Sequence, residues 1–180
     1  MAESAHTKTL IVDAFKRLLG CEPFSKVSVG DICTEAGLNR KSFYYHFKDK
    51  YDLVNSSFDM EFSDYASKSL KTVEKSEGVI IIKCLCEHLH TNRSYYRKLL
   101  EIECQNSFSD YLREQIFIYF KKMGFDTSDF KTRFFSDAVF FSIKSWLLAK
   151  SSEKPEDFVF KLLRCIGIDN RKNQNNIHIK

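Results

Sequence analysis

Apolar residues recur at three- and four-residue intervals along most of this chain, the period of helices that bury one face. Thr7 to Leu19 shows it first. Leu10, Ile11, Ala14, Phe15, Leu18 and Leu19 form one stripe, with Lys8, Asp13, Lys16 and Arg17 elsewhere. Met1 to His6 lacks the pattern and reads as a frayed leader. Gly20 and the link Glu22-Pro23-Phe24 end the first helix. Val29, Ile32, Cys33 and Ala36 mark a short second helix, with Ser28 as N-cap and Asp31 answering it in a capping box. Gly37 stops that helix, because glycine accepts the left-handed conformation of a C-terminal cap. Asn39 can cap a third. Lys50 to about Val73 predicts a long connecting helix, with Leu53, Phe58, Phe62, Tyr65, Ala66 and Leu70 as its contacts.

Lys75 to Gly78 is the first strong break after it. Val79 to His90, Tyr95 to Glu103 and Ser107 to Met123 predict three more helices, with Thr91 to Ser94 a polar break. Gly124 to Ser128 is an expected loop, and Ser128 a cap. Asp129 to Lys150 is apolar nearly all round, so it needs cover on several sides. Ser151 to Pro155 reads as a link, Glu156 to Ile168 as the last helix, and Asp169 to Lys180 as a polar tail. The expected fold is all-α with roughly eight or nine helices.

Composition agrees. The chain has 180 residues, 43% of them hydrophobic, with only 6 Gly and 2 Pro, which suits long helices joined by short links. The apolar run Val79 to Ile82 is far too short to span a bilayer, and no apolar block near Met1 resembles a secretion signal. A cytoplasmic protein is expected, without membrane contact.

Local charge says more than the net +4. Between Leu38 and Lys50, four cations (Arg40, Lys41, Lys48, Lys50) face one acid (Asp49), leaving +3. Phosphate neutralisation needs such density. A helix, a glycine turn and a second, cation-rich helix form a helix-turn-helix, whose second helix enters the DNA major groove. Arg40, early on that helix, is placed to bond guanine in bidentate fashion. Lys41 and Ser42 come next, and Tyr45 lies one turn after Lys41, within reach of a thymine methyl or a phosphate. Ser28 can offer hydroxyl or amide to phosphate, while Phe43 and Phe47 are expected to pack inward.

Gly37-Leu38, Ser42-Phe43-Tyr44-Tyr45-His46-Phe47-Lys48, Lys50 and Leu53 together resemble the signature of TetR/AcrR-type transcriptional regulators. The resemblance covers the first quarter to third of the chain. It implies that His46 and Lys50 hold phosphates, that Tyr44 touches the DNA backbone, and that Asn39 belongs to the same surface. Ser42 stands where the family often has threonine, and Lys41 is a less common choice. The resemblance further implies a DNA-binding domain over residues 1–50, a regulatory and dimerisation domain over 51–169, and a tail over 170–180. The expected partner is double-stranded DNA with a palindromic operator, and the expected activity is that of a dimeric repressor released by a small-molecule effector.

The second part is less specific. Its aromatic richness suits a cavity for a flat or greasy ligand, or simply a filled helical core. Tyr95, Tyr96, Arg97 and Trp146 are candidate ligand contacts, and Asn92 to Leu100 is loosely similar to the branch that includes a dihydroxyacetone-kinase activator. The apolar excess of Asp129 to Lys150 and the stripe of the last helix predict a four-helix homodimer contact through Phe141, Trp146, Phe158, Leu162 and Ile166. Six cysteines are scattered without C-x-x-C spacing, and Cys84 and Cys86 point about 200° apart on one helix, poor geometry for chelation. Neither a cofactor nor a metal is called for. No Ser-His-Asp, paired-carboxylate or H-E-x-x-H pattern occurs, so an enzyme is not expected. The alternative is a helical DNA-binding regulator controlled by a protein partner or by thiol or metal sensing.

Overall fold

The computed structural model describes residues 2–70, 77–102, 107–122, 129–150 and 153–167. These residues form nine helices and no strand. They are α1 (Ala2–Cys21), α2 (Val29–Ala36), α3 (Arg40–His46), α4 (Lys50–Leu70), α5 (Glu77–Thr91), α6 (Arg93–Leu100), α7 (Phe108–Lys122), α8 (Asp129–Leu148) and α9 (Pro155–Cys165). No described helix is long and apolar enough to cross a membrane.

Several boundaries differ from expectation. The leader is helical from Ala2, since Ala2, Glu3 and Ala5 are good helix formers with no breaker among them. Glu77 and Gly78, expected in a break, open α5. The polar break at Thr91 to Ser94 shrinks to Asn92, whose backbone and side-chain nitrogens both donate to the His88 carbonyl. The final helix starts at Pro155, which suits a first turn with no amide partner to lose, and ends at Cys165. The expected loop with its Ser128 cap and the tail from Asp169 lie outside the described residues.

The chain packs into two compact units that do not follow sequence order. The first comprises residues 1–63 and 94–111. Here α1 buries Ile11, Val12, Ala14, Phe15 and Leu19, and packs on α2 and α3. Phe58 is the aromatic hub, 5.4 Å from both Phe62 and Phe108 and 6.1 Å from Tyr96. The Lys98 ammonium donates to the Leu19 and Gly20 carbonyls at 2.6 and 3.2 Å. A cation there satisfies orphan acceptors at the C-terminal end of α1.

The second unit comprises residues 64–93 and 112–180. Its centre is α5, with Ile82, Cys84, Leu85, Cys86, His88 and Leu89 all buried. Both α8 and α9 pack on it, and on each other. Arg93 ends the α8 segment much as Lys98 ends α1: its Nε donates to the Leu147 carbonyl at 3.0 Å, and its guanidinium also reaches the Ala149 carbonyl. On α8, Arg113 of α7 grips Asp137 through two nitrogens, at 2.7 and 2.5 Å.

Candidate nucleic-acid interface

Local chemistry builds the two-helix motif. Ser28 is extended (φ −101°, ψ 162°) and closes the capping box: the Asp31 amide donates to its hydroxyl, and the Asp31 carboxylate accepts from the Ser28 amide. The hydroxyl and amide of Ser28 hold the Asp31 carboxyl below its ordinary range. Gly37 takes φ +67°, the left-handed cap, and the Leu38 amide reaches back to the Cys33 carbonyl at 2.9 Å. Asn39 is then extended, and its Oδ1 accepts from the Ser42 amide (2.8 Å) and hydroxyl (3.2 Å). That bond starts α3 and spends the Ser42 hydroxyl proton locally.

Helix α3 has two faces. Phe43 and, at the C-cap, Phe47 are buried at 0% and 2% exposure. Arg40, Lys41, Tyr44 and Tyr45 are exposed, Tyr44 at 55% and Tyr45 at 78%. Two large aromatics left in water beside two cations are unusual for a surface that meets only solvent. Neighbouring rings steady them: Tyr44 meets Phe43 edge-on at 5.4 Å, and Tyr45 meets His46 at 4.9 Å. His46 is half-buried. Desolvation, followed by the charge of Lys8, holds its pKa below the ordinary histidine value, so its imidazole is mainly neutral near pH 7.

Lys50, expected at a phosphate, has intramolecular partners in this structure. Its ammonium donates to the Phe24 and Val27 carbonyls at 2.8 and 2.9 Å and lies 4.3 Å from the centre of the Phe24 ring. Two of its three donors therefore staple the α1–α2 link to the start of α4. Asp49, counted above only as an opposing charge, caps α4: its Oδ1 accepts from the Tyr51 and Asp52 amides, both at 2.8 Å. The Asp49-x-x-Asp52 spacing carried that signal. The sequence reading also missed Gly30, whose α-carbon faces the Arg40 guanidinium.

The candidate ligand contacts do not converge within one unit. Tyr96 is buried in the first unit, 5.4 Å from Phe108 and nearly parallel to it. Tyr95 meets Phe15 edge-on at 6.5 Å, its hydroxyl buried toward Ser57. Arg97 belongs to the same helix. Trp146 is in the second unit, 6% exposed, stacked on Phe158 and His90, with its Nε1 donating to the Glu153 carbonyl at 3.1 Å. Within this chain that ring is a core element.

The residues expected at the dimer contact differ in exposure. Leu162 and Ile166 are buried, at 6% and 5% exposure, and Phe158 carries the stack on Trp146. Phe141 is 56% exposed. With it stand Phe130 (80%), Phe134 (61%) and Phe160 (55%). Phe130, Phe134, Ala138 and Phe141 follow one stripe of α8 at intervals of four, four and three residues.

Among the described cysteines, Cys33, Cys84 and Cys86 are buried, and Cys21 and Cys165 exposed. Burial pushes the Cys33 and Cys86 thiols up. No group of three His, Cys, Asp or Glu side chains among the described residues could hold a metal ion.

Two family models match the chain. Bacterial regulatory proteins of the tetR family match over residues 11–56, and a transcriptional regulator C-terminal region matches over residues 80–167. The HTH-type dhaKLM operon transcriptional activator DhaS of Lactococcus lactis subsp. lactis is 25% identical over 103 residues, 57% of this chain and 54% of that protein. The HTH-type transcriptional regulator AcrR of Shigella flexneri is 33% identical over 76 residues, 42% of this chain and 35% of its own. The chain thus spans about half or less of the length of these relatives. Among solved structures, a dihydroxyacetone kinase operon activator DhaS superposes with a TM-score of 0.63 at 22% identity, over 90% of this chain and 97% of that one. A TetR transcriptional regulator from Streptococcus agalactiae gives 0.64 at 20% identity, over 91% and 95%. The tetR match falls on the capped two-helix motif, the C-terminal match falls on the helices that follow, and the solved folds agree: this chain belongs to the tetR family of bacterial regulatory proteins.

Proposed function

We propose that the protein is a dimeric, sequence-specific DNA-binding repressor, released from a palindromic operator by a small-molecule effector. The observation that carries the reading is the outer face of α3, where Arg40, Lys41, Tyr44 and Tyr45 stand exposed while Phe43 anchors the helix from behind. Arg40 reads base edges, and Lys41 with Tyr45 follows it into the groove. Tyr44, the Ser28 end of α2 and His46 hold phosphates. Asn39 and Ser42 set the helix start, with their hydrogen bond fixing its angle of entry. By sequence, residues 1–50 serve DNA, and residues 51–169 serve regulation and dimerisation.

The exposed stripe of α8 supports the dimer. Phe130, Phe134 and Phe141 along one stripe of α8, with Phe160 on α9, are large aromatics left exposed, and a row of that kind suits a protein contact. A second copy of the same face covers it by two-fold symmetry, which matches a palindrome read by two heads. Burial keeps Cys33 and Cys86 protonated, which makes those two thiols poor sensors.

Fluorescence anisotropy of the full chain on labelled duplex DNA tests the reading. Affinity should fall by about 10³- to 10⁵-fold between 50 and 200 mM salt if a dimer neutralises roughly six to ten phosphates. Binding insensitive to salt, or no binding to any duplex, rejects it.

A further inference from the structure

Gly30 occupies the first turn of α2, and its neighbour across the turn is Arg40 of α3. A Cβ at Gly30 would lie 2.8 Å from an Arg40 terminal nitrogen, 3.7 Å from the guanidinium carbon and 3.4 Å from the Ser28 hydroxyl. The guanidinium therefore lies folded across the outer surface of α2, in space that exists only because residue 30 has no side chain. Backbone conformation gives no reason for glycine here. Gly30 is helical, whereas the left-handed glycines among the described residues are Gly37 and Gly167. In a helix, glycine is worse than alanine through its extra backbone freedom. The Asp31 carboxylate is the near negative charge, and the capping box holds it in place.

We infer that Gly30 is a specificity-determining residue: its missing side chain is the seat that aims the Arg40 guanidinium, and thereby selects the base pair that Arg40 reads. This rests on the reading role of Arg40 proposed above. A methyl group at residue 30 overlaps only the far end of a flexible side chain, so the arginine moves and the helix stays. Bidentate recognition of a base edge depends on the direction of approach as well as on charge. Displacing the guanidinium should therefore change discrimination at one operator position while leaving total charge unchanged.

The test measures affinities of the full-length wild type, Gly30→Ala, Arg40→Ala and the double variant. The DNA panel is an operator selected by the wild type and carries each single base-pair change. Gly20→Ala is the control, since a Cβ there meets nothing within 4 Å. Arg40→Ala should lower discrimination at one position per half-site by roughly 5- to 150-fold. Gly30→Ala should relax or switch preference at that same position and no other, with helical circular dichroism retained. Adding it to Arg40→Ala should change nothing further. The proposal is overturned if Gly30→Ala keeps the wild-type preference, if its effect falls on a different base pair, or if the two effects multiply independently. If Arg40→Ala relaxes no position, the reading role and this inference fail together. Salt-sensitive DNA binding by the wild type would in that case still stand on its own measurement.

Discussion

The indole of Trp146 lies 4.4 Å from the ring of Phe158, their planes 3° apart. His90 stacks on the same indole at 5.4 Å and 18°. Three helices, α5, α8 and α9, thus meet on one side chain, whose Nε1 is also bonded. Truncating it removes a large packed ring, so Trp146→Ala should cost about 3–5 kcal/mol. Urea unfolding followed by circular dichroism checks this. A loss under about 1 kcal/mol would mean that the stack contributes little.

The surface phenylalanines should behave oppositely. Phe134→Glu places a charge in the proposed two-fold contact, but touches no core of its own unit. It should give monomers by sedimentation that keep their helicity and lose high-affinity operator binding. Leu162→Glu buries a charge inside a monomer and should unfold the second unit instead. Dimers persisting in Phe134→Glu would move the contact elsewhere.

Lys50 and Lys41 separate a structural cation from a DNA cation. Lys50→Ala breaks two charge-assisted bonds to the Phe24 and Val27 carbonyls, so stability should fall by about 1.5–3 kcal/mol. Lys41→Ala should leave stability within about 0.5 kcal/mol and lower the salt slope of binding by roughly one unit per head. Thermal melts and salt titrations of both variants distinguish the roles. A Lys50→Ala protein with unchanged melting but a flattened slope would restore it to the phosphate set.

Tyr65 sets an alkaline limit in the second unit. Burial first, and then its hydrogen bond to Glu87 at 3.0 Å, push the phenol from 10.0 up to about 12. The folded state therefore keeps a proton that the unfolded chain releases near pH 10. Its contribution is fully present below pH 10 and is lost as pH rises through about 12. Tyr65→Phe should fall less steeply than wild type in that window. Parallel stability curves between pH 10 and 12 would contradict the assignment.

The capped motif was legible because its signals are local. Ser28 with Asp31, Gly37 as left-handed cap, and Asn39 before Arg40 each act within four residues, so the sequence alone contains both partners. The role of Lys50 was not legible. Its partners are 26 and 23 residues away, and they are carbonyls, which every residue has. Periodicity alone also does not separate the buried from the exposed side of α8 and α9. Helix α8 is apolar nearly all round, and α9 offers both Leu162 and Phe160. Which side faces the same chain depends on where α5 lies. Only packing separates the buried Trp146 from the exposed Phe134.

Selection of bound duplexes from a random pool by the full chain tests the central claim most directly. The account predicts enrichment of a palindrome whose half-site centres lie about 10 base pairs, or a multiple of one helical turn, apart. Each half-site should contain one base pair whose preference disappears with Arg40→Ala. A pool that enriches no sequence, or a single asymmetric site bound by a monomer, would contradict it.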